Sequence, residues 1–355
     1  MSSNFEELLK EKRQIIWAEI EKYLKEPLSL PEDLKIPPLY SKEADFHWQV
    51  VSEYPQRKGK YLRPILLLLT AEALGVSEEK ALKTAAAMQI SEDWILGHDD
   101  FEDDSMERRG DKALHRLYGP YLAVNAGDAL HVVMWKVLSD NKDVIGTELT
   151  YSILDEFYQM LTRTILGQTV EIKWRDEGKI DLTDEDCFFI IDGKTVYYTI
   201  AGPMRLGAIL AGATKKQLGY LYEFAKPLGR CFQIKDDLLD LTSDFAGLKK
   251  QKGNDIYESK RTIMLMHLFR SVDSKEKKKL GEIMSKKRGE KTKGEVDWVL
   301  KLMKKYKSLE YGQNMAEKLA EEARGIFKRK LNFLVHEPAR GQLEEAITFI
   351  LKREY

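Results

Sequence analysis

The 355-residue chain is poor in the features that staple or anchor a protein. It has two cysteines, Cys187 and Cys231, too few for a disulfide framework and in keeping with a reducing compartment. Neither sign of charge is in excess: 57 Lys and Arg stand against 58 Asp and Glu, a formal net charge of −1. That balance argues against a general nucleic-acid binder, which carries a net basic footprint, and against an acidic disordered tail. Long apolar runs are also missing. Residues 65–69, and 130–138 interrupted by His131 and Lys136, fall far short of the roughly 20 residues a membrane span needs. The opening MSSNFEELLKEKRQ is polar and has no signal-peptide apolar region. The expectation is a cytoplasmic globular protein with no membrane span and no nucleic-acid partner. Its 43% apolar content is enough for a sizeable core at this length.

Proline is scarce where it matters. Four of the ten prolines crowd into Pro27, Pro31, Pro37 and Pro38, and only Pro120, Pro203 and Pro227 fall between residues 65 and 337. Proline costs about 3 kcal/mol in a helix interior, so this stretch is free to be helical. Ala, Leu, Glu, Lys, Met and Gln fill it, and short β-branched runs bounded by turns are rare. An all-α fold follows. The layout is an N-terminal helix over 1–26, a Pro-rich connector over 27–38 and a helical body over 39–355. Within the body, apolar spacing predicts helices near 61–74, 78–102, 121–139 and 148–171. A break at 176–183 precedes further helices near 184–210, 215–244 and 258–270, with three more to the C-terminus. The Lys-rich stretch 275–294 reads as a solvated helix face plus a loop, since no aromatic residues interleave it as in a nucleic-acid patch.

One short pattern recurs. HDDFEDD at 98–104 and FQIKDDLLD at 232–240 both read D-D-x-x-D at the C-terminal end of an apolar helical run. Residues i and i+4 share a helix face, so Asp99 with Asp103, and Asp236 with Asp240, each project two carboxylates one way. Stacked like charges destabilise a helix by a few tenths of a kcal/mol, and the helix dipole disfavours anions at this end. Hard oxygen ligands at this spacing suit Mg²⁺ completing its shell with water and substrate phosphates. An open acidic surface is the alternative for one copy, but Phe232, Ile234, Leu238, Leu239 and Leu241 flank the second. A calcium loop starting at Asp99 fails, with Asp104 where Gly is needed and Gly110 where Glu belongs. No Cys/His spacing fits zinc.

Matching cations surround both copies. Arg108 and Arg109 follow the first, and Gly59-Lys60-Tyr61-Leu62-Arg63-Pro64 precedes an apolar helix. Lys194-Thr195 sits in the apolar stretch 190–200, and Lys250, Lys252, Lys260 and Arg261 follow the second copy. Arg pairs bidentately with phosphate oxygens and Lys acts as a point charge. The implied substrate is anionic.

These residues resemble the trans-isoprenyl diphosphate synthases, the head-to-tail polyprenyl synthetase family. The motifs run in order: GKYLRP at 59–64, DDFEDDSMERRG at 99–110, GQTVEI at 167–172, KT at 194–195, FQIKDDLLD at 232–240 and GNDIYESKRT at 253–262. They span about residues 55–265. The resemblance implies a single-domain helical bundle over 1–355 around a central cavity, of the isoprenoid synthase type, and a homodimer. In that family the two Asp motifs face each other and hold three Mg²⁺ on an allylic diphosphate, with Mn²⁺ able to substitute. Carried over, Asp99, Asp103 and Asp236 are metal ligands, and Asp100, Asp237 and Asp240 are ligands or support them. Arg108, Gln168, Lys194, Thr195, Gln233, Lys250 and Lys260 surround the allylic diphosphate. Gly59, Lys60, Arg63 and Arg109 hold isopentenyl diphosphate, and Lys352-Arg353 closes over that site. The implied reaction is ionisation of the allylic C–O bond, attack by the isopentenyl double bond and loss of a proton.

Three positions depart from the family pattern. Glu92, seven before Asp99, stands where His or Gln is usual, and a carboxylate there repels phosphate unless it is protonated or paired with a cation such as Lys60 or Arg63. Lys58 replaces a glycine. Glu171 replaces Asp, a longer arm with the same charge. Product length is read from the residues before the first Asp motif, where bulky side chains floor the growing chain in short-chain enzymes of the family. Trp94, Ile95 and Ser91 occupy that stretch. One aromatic of two floor positions points to C20, geranylgeranyl diphosphate, ahead of C15. Trp94 lies about 140° around an ideal helix from Asp99, so its floor role calls for a distortion near Gly97 or a tunnel that bends past it. Rival readings are a class I terpene cyclase, a head-to-head synthase and a non-catalytic subunit. GKYLRP and an intact second D-D-x-x-D count against them.

Overall fold

The structure, a computed structural model, describes residues 4–25, 30–242 and 252–352. It is all-α, apart from one two-residue hairpin. Helix α1 (Asn4–Lys25) is amphipathic, burying Phe5, Leu9, Ile16, Ile20 and Leu24 at helical spacing. Two single 3₁₀ turns, Glu32–Leu34 and Pro38–Tyr40, occupy the described part of the Pro-rich connector. Helix α2 (Ser41–Gln56) has no counterpart among the expected helices. It carries Pro55 in its last turn.

Helices α3 (Leu62–Ala73) and α4 (Glu78–Glu102) match the expected pair, and the apolar run Ile65–Leu69 is entirely buried. Strands β1 (Glu107–Arg108) and β2 (Asp111–Lys112) form the hairpin. Arg109 and Gly110 turn it with φ of 52° and 84°, the left-handed pair a two-residue hairpin loop demands. The chain continues through α5 (Leu114–Tyr118), α6 (Pro120–Ser139), α7 (Lys142–Ile145) and α8 (Thr147–Asp176). The expected break follows, and α9 (Asp184–Ile191) opens on a capping box between Thr183 and Asp186.

The helix expected over 184–210 is three pieces: α9, a π-helix over Asp192–Ala201, and α10 (Gly202–Leu210). Next come α11 (Lys215–Thr242), α12 (Asn254–Tyr257) and α13 (Ile263–Ser271). Helix α13 starts later than 258 because Ser259 is left-handed (φ 59°) and the Thr262 hydroxyl caps the Leu265 N–H. Four helices follow, not three: α14 (Ser274–Met284), α15 (Lys293–Lys305), α16 (Ser308–Lys330) and α17 (Ala339–Lys352). The Lys-rich stretch is α14 plus the loop into α15.

The chain packs as two compact units. The first is Met1–Asp155 with Leu206–Ala213, and the second is Glu156–Arg205 with Thr214–Tyr355. In the first, α4 packs along α6 and against α3 and α1. In the second, α11 packs against α16 and the π-helix. Each unit holds one Asp-rich helix end.

Candidate active site

In the first unit, α4 presents its acidic end with a clear division. Asp99 and Asp103 are half-buried, whereas Asp100 is fully buried. Residue i+1 is rotated 100° from i, so the second aspartate of the pair points inward. There Arg108 grips both its oxygens: Nε lies 3.0 Å from Oδ1 and 2.9 Å from Oδ2, and Nη2 also donates to Oδ1. The Tyr54 hydroxyl donates to Asp100 Oδ2 at 2.6 Å and accepts the Leu114 N–H at 2.9 Å. Burial works against the Arg108 charge, but Asp100 outweighs it and keeps the guanidinium protonated. Arg57 fastens the hairpin from outside, donating to the carbonyls of Arg108 and Lys112 at 2.9 Å each.

One turn or more up α4, Glu92 and Asp93 meet the cations of the GKYLRP loop and hairpin. Arg63 Nη1 lies 3.2 Å from Glu92 Oε1, and Arg109 Nη2 lies 3.6 Å from the same oxygen. Glu92 is therefore paired, the second of the two states open to it. Arg109 Nη1 donates to Asp93 at 2.7 Å and to the Tyr54 carbonyl at 2.9 Å. Asp93 is completely buried, and that burial pushes its carboxyl up to about 6 against the pull of Arg109. Gly59 gives the Arg109 guanidinium its space: a Cβ there would sit 3.0 Å from Nη2 and 3.2 Å from Cζ. Lys58 and Tyr61 both adopt left-handed φ, 46° and 57°. Lys58 thus keeps a conformation easier for glycine, at a cost of order 1 kcal/mol, and lays its amine 4.6 Å from the centre of the Trp17 ring. Lys60 is exposed.

Helix α4 runs through Gly97 without a break, so Trp94 keeps its ideal angle from Asp99. Its ring stacks on His131 of α6, centroids 4.1 Å apart and 17° from parallel. Trp135 Nε1 donates to His131 Nε2 at 2.7 Å. Ile95 shares the half-buried stripe of Glu92, Leu96 and Asp99. Ser91 is fully buried, its hydroxyl on the Met88 carbonyl at 2.7 Å.

The second unit repeats the division on α11. Asp236 and Asp240 are half-buried and Asp237 is 2% exposed. Gln233 Nε2 donates to Asp237 at 2.8 Å, and Lys260 Nζ lies 3.1 Å from the same oxygen. Asp255, which the motif reading passed over, lies 3.6 Å from Lys260, and its N–H donates to Asp240 at 2.9 Å. Burial raises the carboxyls of Asp237 and Asp255, Lys260 opposing. Burial disfavours the Lys260 charge in turn, but Asp237, Asp255, Glu171 and Asp236 together hold it charged.

The π-helix supplies the rest. Its wider turn puts the Lys194 amine 2.5 Å from Glu171 and the Thr195 hydroxyl 2.6 Å from Gln233 Oε1. The longer arm at Glu171 reaches that lysine. Gly167 of α8 allows the approach, since a Cβ would lie 3.0 Å from Lys194 Cγ and 3.1 Å from its backbone nitrogen. Gln168, the next residue, is half-buried. Glu171, Lys194, Thr195, Gln233, Asp237 and Lys260 line one cavity. Lys250 and Arg353 lie outside the described residues, and Lys352 is exposed at the end of α17.

The donor set fits a hard divalent cation. Among the described residues no three Asp, Glu, His or Cys side chains close into a metal cluster. The half-buried carboxylates at the two ends, Asp99 with Asp103 and Asp236 with Asp240, are the kind of ligand Mg²⁺ takes when water and phosphate complete its shell. The buried Asp255 Oδ2 also lacks a hydrogen-bond partner, an acceptor left open at the second end.

Helices alone, two acidic helix ends and half-buried cations beside each define an isoprenoid-synthase type of protein. A structure of that class agrees: the crystal structure of geranylgeranyl pyrophosphate synthetase from Pyrococcus horikoshii superposes with a TM-score of 0.82 over 99% of this chain and 98% of that one, at 27% identity. The polyprenyl synthetase family matches residues 47–303. A short chain isoprenyl diphosphate synthase of Methanothermobacter thermautotrophicus is 31% identical over 84% of this chain and 87% of its own. A geranylgeranyl diphosphate synthase of Sulfolobus acidocaldarius is 32% identical over 81% and 83%. The chain belongs to the polyprenyl synthetase family and is a prenyltransferase.

Proposed function

We propose that the protein condenses isopentenyl diphosphate with an allylic diphosphate head to tail, giving a short-chain product, with geranylgeranyl diphosphate favoured over farnesyl diphosphate. The observation carrying this reading is the repeated division at the acidic helix ends. In both, the outer carboxylates stay half-open and the middle one is buried against a cation. Asp99, Asp103, Asp236 and Asp240 are assigned to metal, Mg²⁺ with three ions and Mn²⁺ as substitute. Asp100 and Asp237 are assigned to support, since each is buried against a cation. When bound, the ions neutralise charge on the leaving diphosphate.

The chain's own groups do the remainder. Lys194, Thr195, Gln168, Gln233, Lys260, Lys250 and Arg108 hold the allylic diphosphate and stabilise charge as its C–O bond ionises. Gly59, Lys60, Arg63 and Arg109 hold the acceptor so that its double bond meets the allylic cation aligned. The released diphosphate takes the proton. Excluding water keeps the cation from being quenched. The 1–355 chain acts as one catalytic domain, in the cytoplasm, and as a homodimer. Tyr121, Val124 and Val132 lie exposed along one stripe of α6, which supports a second copy there. No helix among the described residues is long and apolar enough to cross a membrane.

The test is incubation with Mg²⁺, isopentenyl diphosphate and allylic primers of each length. Linear C20 diphosphate is the expected product; a cyclised hydrocarbon, or no product, overturns the reading. Product length rests on Trp94 with Ile95 and Ser91 as the floor. Trp94→Ala is expected to lengthen products to C25 or beyond by chromatography. An unchanged distribution from a folded, active variant removes that argument.

A further inference from the structure

We propose that Arg13, on the N-terminal helix α1, is a third guanidinium of the isopentenyl diphosphate site. The inference rests on the assignment of Gly59, Lys60, Arg63 and Arg109 to that substrate. Its starting point is a shortage of charge. Two of those four residues are cations already committed to carboxylates: Arg63 to Glu92 at 3.2 Å, and Arg109 to Asp93 at 2.7 Å with Glu92 at 3.6 Å. Three cations against Glu92 and Asp93 leave a net of about one positive charge for a diphosphate ester carrying two to three negative ones at neutral pH.

Helix α1 brings a further cation to this place. Arg13 and Trp17 are four residues apart and share a face, and that face lies along the loop before α3. Trp17 takes the Lys58 amine against its ring, 4.6 Å from the ring centre, and Arg13 Nη1 donates to the Gly59 carbonyl at 3.4 Å. Lys12 pins the helix at this level, bonding to Glu72 at 2.5 Å and Glu78 at 2.6 Å. Arg13 is thus presented by a fastened helix.

Hydrogen-bond inventory points the same way. Arg13 Nε and the Tyr61 hydroxyl are buried donors without a hydrogen bond, and Arg109 Nη2 has only its 3.6 Å ion pair with Glu92; the buried Glu92 Oε2 and Asp93 Oδ2 make no hydrogen bond either. Tyr61 itself is 1% exposed, and its phenol feels the charges of Asp93, Arg109, Glu92 and Arg13. A buried donor left without an acceptor forfeits the hydrogen bonds it makes to water in the unfolded chain. Phosphate oxygens are the acceptors that suit three such donors, two of them guanidinium groups. With Arg13 counted, four cations face two carboxylates.

The experiment measures KM for isopentenyl diphosphate and for the allylic primer separately, with Tm, in the full-length protein carrying Arg13→Gln, Arg13→Lys or Arg63→Gln. Arg13→Gln is expected to raise the isopentenyl KM about tenfold and leave the allylic KM and Tm unchanged. Arg13→Lys, keeping charge but losing the planar fork, is expected to raise it about threefold. If Arg63→Gln raises the isopentenyl KM and neither Arg13 variant does, Arg13 is not part of the site. A fall in Tm with both KM values moving together also overturns the proposal, because it marks a role confined to holding the Gly59 carbonyl. If none of the three variants moves the isopentenyl KM, the assignment of the whole site falls. Should Arg13→Gln fail to fold, Arg13→Lys decides by the same split.

Discussion

The two acidic helix ends carry the same five-residue pattern and treat it alike in outline but differently in chemistry. At α4 the middle aspartate, Asp100, is closed off by a bidentate arginine and a tyrosine hydroxyl. At α11 the middle aspartate, Asp237, is met by a single lysine amine and a glutamine amide, and the same lysine also serves Asp255. The first end is a fixed clamp, since Arg fits carboxylate geometry and keeps its charge at any working pH. The second is a point charge shared between Asp237 and Asp255. A bidentate end and a point-charge end thus come from one motif, decided by whether an Arg or a Lys reaches the inward residue.

The largest expected effect tests what the ends have in common. Asp99→Ala and Asp236→Ala should each abolish turnover while leaving Tm unchanged, because removing a self-repelling carboxylate relieves the helix. Either variant retaining more than a tenth of wild-type turnover, about 1.4 kcal/mol of barrier, would break the parallel. The next effect tests how the ends differ. Asp100→Ala strands Arg108 in a buried site and should cost about 3–5 kcal/mol of stability in denaturant titration. Asp237→Ala leaves Lys260 its contact with Asp255 and should cost clearly less. Equal losses would show that clamp and point charge are not distinct.

A smaller effect concerns pH. The buried Asp93 carboxyl titrates near 6 in the folded protein and near 4 when unfolded. The folded state therefore binds more protons across that window, and stability falls as pH rises from about 4 to 6, then levels off. The contribution is on the order of 2–3 kcal/mol. Asp93→Asn should flatten this slope in melts recorded across the window; an unchanged slope assigns it to another group. The smallest effect is Gly59→Ala, which forces the Arg109 guanidinium aside by a few tenths of an ångström. It should raise the isopentenyl KM severalfold and leave the allylic KM alone.

What the sequence determined by itself was everything that repeats at short range. Scarce proline and helical apolar spacing sufficed for an all-α chain and for most helix bounds, including the break after Asp176. The i, i+4 rule carried the expectation that Asp99 pairs with Asp103 and Asp236 with Asp240; α4 ends at Glu102, which leaves Asp103 at its C-cap. Local rules failed where local chemistry was unusual: Pro55 inside the last turn of α2 hid that helix, and the π-helix after Ile191 has the same apolar content as an α-helix. Tertiary structure alone decided which ions meet. Asp100 with Arg108 and Tyr54, Glu92 with Arg63, Asp93 with Arg109, and Asp255 with Lys260 join residues of different elements. Arg13 reaches Gly59 across 46 positions. A side chain's partner across such distances is set by how helices pack, and a charged residue in an amphipathic helix such as α1 looks the same in sequence whether it faces water or a neighbouring loop.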